Sequence, residues 1–221
     1  MGAPRAIALC QNFKGALEFR MGNWAEAEEA LRESIRLFRQ IDAVDGEALS
    51  CLRLGILQTA RGELDEALST LEDGAVAAKH ATLHGGNLLG WLQAAIARNR
   101  LLAGDLPAAG HAFSLGEALT ESHGDCALCE AVLLPVAVSV RLAQGDLTAA
   151  EAYCRRLDAD AARYDSHTWL ALAAQARGEL AAARGDVEAA RTYYTTAQAG
   201  FHQARNEYAA AQCAEALARL L

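Results

Sequence analysis

The chain has 221 residues, of which 52% are hydrophobic and 22% are charged, and its formal net charge is −8 at pH 7. This composition is typical of a folded globular chain and argues against intrinsic disorder. The negative charge disfavours a direct nucleic-acid partner, because duplex-binding domains usually present a basic face. No apolar run reaches the roughly 18 residues that a membrane-spanning helix needs. We therefore expect a cytoplasmic protein that binds neither nucleic acid nor membrane.

A six-residue pattern recurs five times along the chain: glycine, a polar residue, a large apolar residue, two variable residues and alanine. The copies begin at Gly22, Gly62, Gly104, Gly145 and Gly185. Successive glycines are 40, 42, 41 and 40 residues apart. A constant spacing of this kind is the signature of a repeat architecture, in which each copy is one supersecondary unit.

Each position of the pattern has a physical reason to be there. Glycine adopts the left-handed conformation that ends a helix. The Asn or Asp that usually follows can accept hydrogen bonds from the free amides of the next helix. The alanine allows two helices to approach closely. Seven residues before the turn, Gly15, Gly55 and Gly178 lie in mid-helix, which costs ~1 kcal/mol relative to alanine. Close helix contact at these positions would compensate for that cost.

The predicted elements are therefore five pairs of helices, each pair joined by the glycine turn. The first helices of the pairs are predicted near 5–21, 46–61, 88–103, 127–144 and 167–184. The second helices are predicted near 24–41, 64–82, 106–121, 147–163 and 187–204. Residues 206–221 repeat the amphipathic period and predict a C-terminal helix that caps the array. The pairs span about 5–41, 46–82, 88–121, 127–163 and 167–204, and short turn-rich connectors predict one continuous domain.

The pattern resembles the tetratricopeptide repeat (TPR), with a period longer than the usual ~34 residues. This long variant is similar to the arrays of maltose-activator-type (MalT-like) bacterial regulators. The resemblance implies an all-α fold, namely a right-handed superhelical α-solenoid of five helix pairs and a capping helix.

The sequence contains no signature of catalysis or of a cofactor site. A phosphate-binding Gly-Lys-Ser/Thr loop, His-Glu-x-x-His and Gly-x-Ser-x-Gly are all absent from the sequence. The segment His123-x-x-Cys126-x-x-Cys129 has the spacing of metal ligands, but a zinc site needs a fourth ligand. We therefore predict no enzyme activity, no cofactor and no metal, and we interpret the two cysteines as part of a helix start.

The resemblance implies that the first helices line a concave groove that binds a partner. Carried over by position, it places in this groove Asn12, Phe19, Arg20, Arg53, Ile56, Trp91, Arg98 and Gln175. The arginines favour an acidic segment or a C-terminal carboxylate. The alternative is that they only pair with neighbouring glutamates. The acidic second helices are interpreted as a solvated outer face.

The predicted function is a scaffold that binds a protein or peptide in the concave groove. The alternative is the sensory region of a bacterial signal-responsive transcriptional regulator, which recognises a small ligand or a partner. The sequence also leaves open a homodimer as the partner.

Overall fold

The computed structural model describes residues 2–81, 85–121 and 127–220 and contains eleven helices and no strand within them. The first helices of the pairs are α1 (Gly2–Met21), α3 (Val44–Arg61), α5 (Gly85–Leu102), α7 (Ala127–Ala143) and α9 (His167–Ala183). The second helices are α2 (Trp24–Gln40), α4 (Leu64–Lys79), α6 (Leu106–Glu121), α8 (Leu147–Tyr164) and α10 (Val187–Gln203). The last helix is α11 (Glu207–Ala218). The predicted all-helical tetratricopeptide-like fold is confirmed, and every helix end lies within three residues of its predicted position.

The chain divides into two compact units, residues 1–129 and 130–221. In unit 1, α1 packs on α2, α3 on α4 and α5 on α6, while α3 also contacts α1 and α5. In unit 2, α9 packs against α8 and α10, and α11 packs on α10. There, Ala210 and Cys213 of α11 help to bury Phe201 of α10. Whether both units form one continuous domain stays a prediction.

All five turn glycines adopt the left-handed conformation, with φ between 76° and 86°. An L side chain is strained there, which explains why glycine recurs at this position. The alanines that close the pattern are all 0% exposed: Ala27, Ala67, Ala109, Ala150 and Ala190. They are the points at which the helices of a pair meet.

At some of the turns, the residue after the glycine caps the start of the second helix, as expected. Asp105, Asp146 and Asp186 each accept a hydrogen bond from a backbone amide three residues later, over 2.9–3.1 Å. Asn23 instead donates its side-chain amide to the Glu18 carboxylate, at 2.7 Å. The expectation is therefore wrong at this turn. A carboxylate one turn earlier is a charged and stronger acceptor for the amide group.

The mid-helix glycines lie at close helix crossings, as predicted. A Cβ atom added to Gly55 would lie 2.5 Å from the Leu71 side chain and 3.3 Å from the Ala67 carbonyl oxygen. A Cβ at Gly15 would meet Leu31 at the same distance, and one at Gly178 would meet Tyr194 at 2.9 Å. These distances are too short for a carbon contact, so only glycine allows this packing.

We expect Gly55→Ala to destabilise unit 1 despite the better helix propensity of alanine. Overpacking against the fully buried Leu71 destabilises the folded state by about 1–3 kcal/mol, whereas the higher helix propensity of alanine stabilises it by ~1 kcal/mol. Urea unfolding followed by circular dichroism should show a net loss of stability. The exposed Ser69→Ala on α4 is the control and should be neutral. A Gly55→Ala variant as stable as the parent would show that the crossing is looser than described.

Unit 2 contains a buried carboxyl group, that of Asp160 on α8. Its side chain is 8% exposed, and its Oδ2 atom has no hydrogen-bond partner among the described residues. Burial and the neighbouring Glu130 of α7 raise the pKa of Asp160 to about 6, although Arg156 and Arg163 act to lower it. The folded state therefore binds this proton more tightly than the unfolded chain does. The stability that this proton contributes is fully present below about pH 4 and is lost as the pH rises through about 6.

We expect Asp160→Asn to stabilise the protein at pH 7, because the amide stays neutral at every pH. The gain should be about 1–3 kcal/mol and should vanish near pH 4. Thermal melts between pH 4 and pH 7.5 measure the effect. The exposed Asp165→Asn should keep the pH dependence of the parent, since asparagine also tolerates the left-handed φ of 41° there. An equal gain for Asp160→Asn at all pH values would rule out titration as its cause.

Candidate partner-binding face

The first helices of unit 1 lie side by side, so that corresponding positions form one surface. Residues 13, 9, 6 and 2 positions before each turn glycine share a helix face, because these spacings correspond to whole helical turns. We call this surface the first-helix face, and it comprises Phe13, Arg20, Arg53, Ile56, Trp91 and Arg98. The contacts of α3 with both α1 and α5 bring the three parts of the surface together.

Arg53 is at the centre of the first-helix face. Its guanidinium lies over the Phe13 ring, 5.0 Å from the ring centroid, and Phe13 itself is 60% exposed. The same guanidinium donates to the Asn12 backbone oxygen at 3.0 Å and to the Asn12 side-chain oxygen. Two neutral acceptors and an aromatic ring thus hold the Arg53 cation in a defined position.

No carboxylate pairs with Arg53 among the described residues, and burial alone lowers its pKa. Arginines of the second helices differ in this respect. Arg36 is bonded to Glu33 at 2.6 Å, and Arg39 is bonded to Glu47 at 2.6 Å. The alternative that the groove arginines only pair with glutamates therefore does not apply to Arg53. A half-buried cation without a counter-charge favours an anion that comes from outside the chain.

Asn12 does not lie on the surface, which corrects its expected role as a direct partner contact. Its side chain is 0% exposed, and its amide nitrogen donates to the Ser50 hydroxyl at 2.7 Å. The Ser50 hydroxyl also bonds that of Ser34 at 2.9 Å. Asn12 therefore links α1 to α3, and it positions the Arg53 guanidinium from the buried side of that surface.

Phe19 does not lie on the first-helix face either, which corrects its expected role as a partner contact. It packs against the buried cluster that includes Leu31 and Leu54, and its ring centroid lies 6.3 Å from that of Trp24. The aromatic side chain therefore belongs to the core between α1, α2 and α3. The residue lies three positions before the turn glycine, and this register points to the second helix of the same pair.

The other residues of unit 1 that were predicted to bind a partner are accessible to solvent to different degrees. Arg20 is exposed, whereas Ile56, Trp91 and Arg98 are half-buried. The indole nitrogen of Trp91 has no hydrogen-bond partner among the described residues. That nitrogen atom is itself buried, so it is not exposed to a partner.

Gln175 belongs to unit 2. It donates to Glu179 at 3.4 Å, and Glu179 also accepts from Ser139 at 2.8 Å. Ser139 and Glu179 both lie six positions before their turn glycines. The first helices α7 and α9 of unit 2 thus meet at corresponding positions, as those of unit 1 do.

Unit 1 also contains a cleft that the sequence did not indicate. Its volume is about 630 Å³, and it lies between α2 and α4 with α3 as its floor. Its lining includes Arg32, Arg39, Gln58, Glu66 and Asp73. The acidic residues of the sequence predict a solvated outer face on this side. The one available signal was the recurrence of arginines along α2 opposite acidic residues of α4.

The described residues contain no cluster that could hold a metal ion. Of the Cys-x-x-Cys segment, His123 and Cys126 lie outside the described residues, and Cys129 is buried. Over the same part of the chain, no helix is both long and apolar enough to cross a membrane.

Comparisons with known proteins agree with this fold. The family model described as the MalT-like TPR region matches residues 6–221. The fold is similar to the crystal structure of Rap protein complexed with competence and sporulation factor, with a TM-score of 0.61 and 12% sequence identity. That match covers 96% of this chain and 64% of the Rap chain, so this chain spans less than two thirds of the length of that protein. The comparison with curated protein sequences gave no match. Because the family model covers nearly every residue of the repeat array, the chain belongs to the family of MalT-like TPR regions.

Proposed function

We propose that this chain is a repeat module that binds a protein or peptide on the first-helix face of unit 1, and that it is not an enzyme. The observation that carries the proposal is Arg53, a half-buried cation that stacks on an exposed phenylalanine and has no carboxylate partner in the described part of the chain. Its position is already set by Asn12, so little conformational entropy is lost when an anion binds.

The chemistry of the face favours an acidic segment or a C-terminal carboxylate as the partner. A guanidinium presents a planar fork of donors that matches both oxygens of a carboxylate. The exposed Phe13 and the half-buried Ile56 offer apolar surface beside it. Arg20 and Arg98 add positive charge on the same surface. Gln175 remains a proposed contact of unit 2.

A second candidate function is the sensory region of a bacterial signal-responsive regulator. Membership of the MalT-like family favours it, and the similar Rap protein was crystallised with a bound factor. The two candidates differ in the ligand: a macromolecular segment on the first-helix face in the first case, and a small molecule in the second.

We further propose a cytoplasmic location. The proposal rests on the sequence; the cysteines do not decide it, because Cys10, Cys51, Cys154 and Cys213 are free thiols whereas Cys129 is disulfide-bonded. A homodimer stays a prediction of the sequence.

We expect Arg53→Gln to weaken binding of acidic peptides at least tenfold, or by ~1.4 kcal/mol. The measurement is selection from a random peptide library with free C-termini, followed by affinity determination for the enriched peptides and their C-terminal amides. The control is Arg36→Gln, which removes an exposed arginine of α2 and should leave binding unchanged. Enriched peptides without a carboxylate requirement, or equal affinity for Arg53→Gln, would contradict the proposed site.

We expect Asn12→Ala to reduce both stability and peptide affinity. The substitution removes the side-chain amide that donates to the Ser50 hydroxyl and accepts from the Arg53 guanidinium, which costs about 1–3 kcal/mol. Urea unfolding and titration with a selected peptide measure the two effects. The exposed Lys14→Ala on the same helix should change neither. If Asn12→Ala unfolds at the denaturant concentration of the parent, Asn12 does not link α1 to α3.

A further inference from the structure

The cleft on the opposite side of unit 1 has a buried polar floor. Gln58 of α3 lines it and is 1% exposed, and its Oε1 atom has no hydrogen-bond partner among the described residues. Leu54 and Cys51 lie beside it as apolar parts of the floor. A buried amide oxygen without a donor costs free energy that an occupant with an N–H or O–H group recovers.

The two walls of the cleft carry opposite charges. Arg32 and Arg39 of α2 lie seven residues apart, or roughly 10 Å along the helix. Glu66 and Asp73 of α4 have the same spacing on the other wall. Two ion pairs cross the cleft, Arg32–Glu66 at 3.0 Å and Arg39–Asp73 at 3.4 Å.

These cross-cleft ion pairs are easily exchanged for contacts with a ligand. All four side chains are more than half exposed, and pairs of this kind contribute little to stability. The Arg39–Asp73 pair is the longer one, and Arg39 makes its shorter bond to Glu47, at 2.6 Å. A ligand carboxylate at Arg39 and a ligand ammonium at Asp73 would restore a partner to each.

We propose that this cleft binds a small zwitterion of the amino-acid or dipeptide class. Its carboxylate binds the arginine wall at Arg39, and its ammonium binds the acidic wall at Asp73. An apolar side chain rests on Leu54, and an N–H group donates to Gln58 Oε1. A volume of about 630 Å³ is within the range of sites for small ligands. The site lies on the second-helix side and does not depend on the proposed partner site at Arg53.

The first experiment is calorimetric titration of the intact chain with the dipeptides leucyl-leucine, leucyl-serine and phenylalanyl-leucine. We expect saturable binding of at least one. N-acetylation of that dipeptide removes the ammonium, and C-terminal amidation removes the carboxylate. Each change should weaken binding at least tenfold. Absence of saturable binding at millimolar concentration, which would mean that only water occupies the cleft, overturns the proposal. Equal affinity for the blocked analogues also overturns it.

The second experiment locates the site with variants. Gln58→Met removes the buried acceptor at similar volume, and Asp73→Asn removes the negative charge from an exposed position that folding tolerates. Both should weaken the dipeptide at least tenfold. Asp65→Asn, on the exposed surface of α4, and Arg53→Gln, on the first-helix face, should bind it as the parent does. Dipeptide binding that survives Asp73→Asn, or that is lost in Arg53→Gln, would exclude the cleft. Loss of acidic-peptide binding alone in Arg53→Gln concerns only the proposed function.

Discussion

The close crossing of the two helices within a pair is the constraint on which the rest of the structure depends. At Gly55 the Leu71 side chain occupies the space that a Cβ atom would fill, and the Ala67 carbonyl approaches from the same side. The left-handed turn at Gly62 makes this approach possible, because it reverses the chain within a few residues. Repetition of this geometry sets the register of each pair and thereby decides which side chains face outward.

Polar groups between neighbouring first helices follow from that register. Asn12 of α1, Ser34 of α2 and Ser50 of α3 form a buried hydrogen-bonded network. A buried network must be satisfied throughout, because an unpaired member is costly. Arg53 donates to Asn12 from the surface, so its guanidinium has a defined position although no carboxylate within the described ranges binds it.

The two sides of unit 1 differ in how their charged side chains are paired. On the second-helix side, arginines and carboxylates neutralise one another in exposed pairs such as Arg36–Glu33 and Arg32–Glu66. These pairs are weak and exchangeable. On the first-helix side, Arg53 is partly withdrawn from water and has neutral partners. The exposed ion pairs of the second-helix side suit a small zwitterion, whose two charges can replace the existing partners. Arg53 on the first-helix side suits an anionic group, which supplies a negative charge next to the guanidinium.

The sequence by itself determined the helix pairs, because a left-handed glycine, a buried alanine and an amphipathic period are local requirements that recur at each copy. It also predicted that Arg53 shares a face with residues of the neighbouring first helices, since helical spacing decides which residues lie on the same side. Only the tertiary structure decided that Asn12 is buried and that Phe19 belongs to the core. Both outcomes depend on the rotation of α1 against α2 and α3, a property of packing between helices. The cleft at Gln58 needed the tertiary structure for the same reason: its walls lie on α2 and α4, whose separation no local pattern encodes.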